Sequence, residues 1–105
     1  MEEEKLLNCL KRRHSGRDKA VKSPMLESRF DVSGRTLREA INNLRCQGYP
    51  ICSNQYGYYY ALNEAEVTAT IKQLNNRIVN IAKARNGLVH AAKQYTDDGQ
   101  LCLPL

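Results

Sequence analysis

Apolar and polar positions alternate along this chain in four helical stretches and one stretch with the period of a sheet. Over residues 2–13, Leu6, Leu7, Cys9 and Leu10 recur among charged neighbours, which predicts a helix with one apolar face and acids in its first turn, where the macrodipole favours them. A basic connector follows over residues 14–22. It opens on a Ser15-Gly16 breaker, and Ala20-Val21-Lys22 can supply a strand of two or three residues. Ser23-Pro24 then reads as a capped start, giving a short helix to Phe30 with Met25, Leu26 and Phe30 on one side and Glu27 and Arg29 on another. After the break at Asp31-Val32, Ser33 caps a third helix whose Leu37, Ala40, Ile41 and Leu44 repeat at three and four, and Gly48 falls at the left-handed position that ends it.

Beyond Gly48 the period becomes that of a strand. Residues 50–53 and the tyrosine-rich residues 56–60 flank a turn at Asn54-Gln55 and predict a hairpin. Asn63 then caps a long helix, with Glu66 three residues on to close a capping box. Val67, Ile71, Leu74, Ile78 and Ile81 follow at alternating intervals of four and three, a heptad seam that reaches a stop or kink near Asn86-Gly87. The fold class expected is therefore mainly α with a small β-hairpin (α+β), a winged helix-turn-helix followed by a long C-terminal helix. Residues 1–62 form the winged domain, 63–92 the long helix and 93–105 a flexible tail in which Leu101, Leu103 and Leu105 are exposed.

The stretch SPMLESRFDVSGRTLREAINNLRCQGYPICSNQYGYYYAL, residues 23–62, resembles the winged-helix domain of the biotin-repressor type, with its Ser-capped recognition helix, Leu-Arg-x-x-Gly-Tyr turn and Gly-Tyr wing. The resemblance covers about 40 of the 105 residues and implies DNA binding through the third helix. Nothing concerning biotin is carried over, because one long helix follows the wing. In size and layout the chain is similar to the small helix-turn-helix proteins of prophages and mobile elements.

The resemblance puts Ser33, Arg35, Thr36, Arg38, Glu39 and Asn42 toward a groove of double-stranded DNA. The helical period agrees: with Leu37, Ile41 and Leu44 turned inward, positions 35, 38, 39 and 42 project outward. Arginine can fork onto guanine O6 and N7, asparagine pairs with adenine, and glutamate accepts from cytosine N4. Ser33, Thr36 and the first amides of the helix suit a phosphate. Lys22 before the second helix, with Arg17 and Lys19, and Asn54, Gln55 and Tyr56 at the wing tip flank this face. The wing tip carries no Arg or Lys.

Composition narrows the classes. The 105 residues are 42% hydrophobic, with a mean hydropathy of -0.59, sufficient for one core and without the apolar run that spans a bilayer. No secretory pattern opens the chain, so a cytoplasmic protein is expected. The net charge of +5 favours a polyanionic partner, and it is uneven: residues 1–22 hold seven bases against four acids, whereas residues 23–62 hold four against three. Cys9, Cys46, Cys52 and Cys102 form no C-x-x-C pair and read as free thiols, with no metal or cofactor. No catalytic motif is present, and a non-enzyme is expected. The expectation is a homodimer through Val67, Ile71, Leu74, Ile78 and Ile81 that binds double-stranded DNA, as a transcription regulator or replication accessory of a phage-like element. The alternative is a winged-helix module that binds a protein partner instead.

Overall fold

The computed structural model describes residues 1–95. In chain order the elements are α1 (Glu3–Arg13), a 3₁₀ turn (Arg17–Lys19), α2 (Ser23–Phe30), α3 (Gly34–Cys46), β1 (Ile51–Asn54), β2 (Gly57–Tyr60) and α4 (Glu64–Ala92). The protein is mainly helical α+β, with one antiparallel hairpin after three helices and a long C-terminal helix, the order the pattern predicts. Two compact units divide the chain, one spanning Met1–Ile71 and a second beginning at Lys72. The expected flexible tail lies outside the described residues from residue 96 on, as do Leu101, Cys102, Leu103 and Leu105.

In the first unit Leu6, Leu10, Leu26, Leu37, Ile41, Leu44 and Ile51 form one buried cluster, so each of the three short helices contributes its apolar stripe and β1 closes the side. Acids Glu3 and Glu4 open α1, and Lys11, Arg12 and Arg13 close it, complementing the macrodipole at both ends. α3 stops as its sequence predicts. Gly48 takes φ 98°, its amide donates to the Arg45 carbonyl, and the Tyr49 amide reaches the Leu44 carbonyl, a Schellman closure.

The hairpin pairs Ile51 with Tyr60, Cys52 with Tyr59, Ser53 with Tyr58 and Asn54 with Gly57. Its outer edge is not left open. The amide of Val21 donates to the Tyr58 carbonyl at 2.9 Å and the Tyr58 amide to the Val21 carbonyl at 2.8 Å, so the expected short strand in the connector pairs through Val21 alone. Both hairpin faces are covered: Tyr58 and Tyr60 pack on the helical core, while buried Tyr59 and Cys52 face the first turns of α4.

Several local expectations change. Ser23 is the first helical residue of α2, not its cap, and its hydroxyl donates to Glu27 at 2.8 Å. Met25 is 68% exposed; it lies about 100° around the helix from Leu26, whereas Leu26 and Phe30, one turn apart, carry the buried side. The hairpin turn falls on Gln55 and Tyr56 rather than Asn54-Gln55, since the Asn54 side-chain oxygen accepts the Tyr56 amide at 2.8 Å and Asn54 stays in β1. Finally, α4 does not stop at Asn86-Gly87 but continues to Ala92. An interior glycine costs about 1 kcal/mol, far less than a proline, and good helix formers on both sides carry the helix through.

Candidate nucleic-acid interface

The predicted face is assembled by α3. Leu37, Ala40, Ile41 and Leu44 are buried, and as a direct consequence of the helical period Arg35, Arg38, Glu39 and Asn42 are exposed. Ser33 is the N-cap: its hydroxyl accepts the Thr36 amide at 3.2 Å and donates to the Thr36 hydroxyl at 3.1 Å. These two side chains therefore satisfy the helix end itself, and among the described residues the amides of Gly34 and Arg35 make no hydrogen bond. Arg35 donates from Nε to Glu39 at 3.3 Å, an exposed pair of small strength. Arg38 takes part in no ion pair among the described residues. Asn43, the next residue round, is drawn toward α1 by a 2.9 Å bond from Nδ2 to Glu3.

Arg45 closes the back of the site. Its Nε donates to the Ile51 carbonyl at 2.7 Å and its Nη2 to the Ser53 hydroxyl at 3.1 Å, fixing the hairpin against the last turn of α3. At the wing tip Gln55 and Tyr56 are exposed and Asn54 is half-buried. They line a groove with Arg17 and Asp18, while Lys22, which precedes α2, lies with Tyr56 in a larger neighbouring groove.

That larger groove also holds Arg13 and Met25, neither of which was predicted for a site. Arg13 is the last residue of the helix expected over residues 2–13, and Met25 is expected on one side of the second helix with Leu26 and Phe30. The signal for Met25 was present in the spacing of Leu26 and Phe30; for Arg13 none was, since only the path of the connector brings it beside the wing.

Glu66 organises the joint between connector, hairpin and α4. The amide of Glu66 donates to the Asn63 side chain at 3.0 Å, half of the predicted capping box. The carboxylate reaches not Asn63 but the amides of Leu62 at 2.8 Å and Arg17 at 3.0 Å. Those two amides hold it below the usual carboxylate range, against the opposing effect of burial. Beneath it, burial pushes the Tyr59 phenol up, reinforced by the neighbouring Cys52.

On α4, Val67 and Leu74 are half-buried, and Ile71, Ile78 and Ile81 are 49%, 62% and 68% exposed. Val79, Leu88 and Val89 add further exposed apolar surface. Cys9, Cys46 and Cys52 are free thiols, and among the described residues no cluster of His, Cys, Asp or Glu is arranged to hold a metal ion. No helix among them is long and apolar enough to cross a membrane. Comparisons with family models, curated proteins and solved structures find no match to this chain.

Proposed function

We propose that the protein is a winged helix-turn-helix DNA-binding protein of the biotin-repressor type that presents α3 to the major groove of double-stranded DNA. The observation that carries this reading is the outer face of α3, where Arg35, Arg38, Glu39 and Asn42 stand exposed, a donor and acceptor set suited to base edges. Ser33 and Thr36 order the helix start, whose remaining amides suit a phosphate. Lys22, Asn54, Gln55 and Tyr56 flank this contact. The exposed residues Ile71, Ile78 and Ile81, with Val67 and Leu74, form a seam by which two copies pair, so an inverted repeat is the target expected. In this reading the protein is a cytoplasmic regulator or replication accessory of a mobile element.

Fluorescence anisotropy with random duplex DNA at two salt concentrations tests the proposal. Affinity should fall steeply with salt as counterions are released. Changing Arg38 to Ala should cost about 1–3 kcal/mol at one base position and relax preference there. An equal loss on all sequences would leave backbone contact without base reading. A protein-binding module is the second reading, favoured by the Arg35–Glu39 pair, which offsets charge on α3, and by a wing tip without Arg or Lys. Absence of duplex binding at low salt would select it.

A further inference from the structure

A concentration of positive charge in the first unit lies away from α3. An open groove of about 770 Å³ runs between the end of α1, the connector and the wing, and Arg13, Arg17, Lys19 and Lys22 line it beside Tyr56 and Met25. Asp18 is the one carboxylate among its lining residues, His14 is also present, and no residue of α3 contributes. Arg13, Lys19 and Lys22 make no ion pair among the described residues. Arg17 lies near the Glu66 carboxylate. Tyr56 and Met25 are 60% and 68% exposed, large apolar surfaces set among cations.

The groove is built rather than draped. The His14 ring donates from Nδ1 to the Lys19 carbonyl at 2.9 Å, the Lys19 amide donates to the Gly16 carbonyl at 3.0 Å, and the Ala20 amide donates to the Arg17 carbonyl at 3.3 Å. The Arg17 amide is tied to Glu66, and Val21 is paired with Tyr58. The cations therefore project from a backbone already ordered, which reduces the entropy lost on binding.

We infer that this groove binds single-stranded nucleic acid, with phosphates on Arg13, Lys19 and Lys22 and an unstacked base on Tyr56. A duplex presents phosphates but keeps its base faces inside the stack, so it would use the cations and meet Tyr56 only at its edge, with no base stacked on the ring. A single strand offers both. The inference goes beyond duplex reading by α3 and does not depend on it.

Anisotropy of the full chain with a labelled ten-nucleotide oligothymidylate, which forms no duplex, tests it against a hairpin duplex. Oligothymidylate should bind with a logarithmic salt slope of about -2 to -3, as expected for three or four phosphates on a single strand. Tyr56→Ala should weaken it about tenfold with the slope unchanged, and Tyr56→Phe should preserve it. Lys19→Ala should shallow the slope by about 0.7. Arg35→Ala and Arg38→Ala should leave oligothymidylate affinity as it was. The inference is overturned if oligothymidylate does not bind at low salt, if Tyr56→Ala binds as tightly as the native chain, or if the duplex displaces the strand at equal phosphate concentration. Duplex binding without strand binding removes the groove and keeps the α3 reading; strand binding without duplex binding does the reverse.

Discussion

At Gly57 the backbone adopts φ 130°, and a Cβ there would collide with the carbonyl of Val21, the residue that pairs with Tyr58. The substitution Gly57→Ala therefore strains the turn and pushes the wing off the connector. A loss of about 1–3 kcal/mol is expected, measured by urea denaturation. Glu66 acts at the same joint through charge. Because its folded pKa lies below the 4.5 of the free group, it contributes stability that is complete above 4.5 and is lost as pH falls through the folded value. Glu66→Gln should lower stability at neutral pH and flatten its fall below pH 4.5, read from thermal melts across that range. Ser33 is a simpler case: removing its hydroxyl leaves the Thr36 amide without its partner, and Ser33→Ala should cost about 1 kcal/mol.

Among the elements, α3 and α4 respond differently to substitution. α3 is held from one side by its buried stripe and at both ends by Ser33 and Gly48, so the exposed side chain of Asn42 adds little to its stability. Leu37→Ala should cost about 2–5 kcal/mol by emptying a fully buried site, whereas Asn42→Ala should fall within about 0.5 kcal/mol, measured by urea denaturation. α4 has only Thr70 fully buried, where its hydroxyl accepts the Ser53 amide at 3.3 Å. Its interior Gly87 has nothing within 4 Å of the position a Cβ would take. Gly87→Ala should therefore stabilise the helix by up to about 1 kcal/mol, visible as a higher midpoint in the helical circular-dichroism melt.

For the whole molecule the issue is what the apolar surface of α4 meets. On the proposed dimer, light scattering should give twice the 12.0 kDa chain mass. The double change Ile78→Asp and Ile81→Asp should return the single mass without altering the thermal midpoint of the first unit, since both side chains are mostly exposed in one chain. A single mass for the unaltered chain would remove the dimer. Charge has a matching distribution at this scale. The groove between α1, connector and wing gathers bases from a segment whose own net charge is +3, while the segment carrying α3 holds +1. Salt dependence should therefore respond more to Lys19 than to Arg35.

Period and punctuation were sufficient for the type and order of the helices and strands, though not for the turn at Gln55-Tyr56 or the run of α4 through Gly87. A repeat of three and four with Ser33 before it and Gly48 after it has one low-energy solution, and alternating residues around a polar turn have another, because these depend on neighbours in the chain. The same period places Arg35, Arg38, Glu39 and Asn42 outward. What local pattern does not encode is which distant segments meet. The pairing of Val21 with Tyr58, the reach of Glu66 to the Arg17 amide rather than to Asn63, and the placing of Arg13 and Tyr56 along one groove all arise from packing between residues far apart in sequence. Met25 differs, since the one-turn spacing of Leu26 and Phe30 already marks the buried side of α2 and leaves Met25 off it. The sequence by itself determined the secondary structure and the polar face of α3; the tertiary structure decided the basic groove, because its charges come from separate elements that only the folded connector holds together.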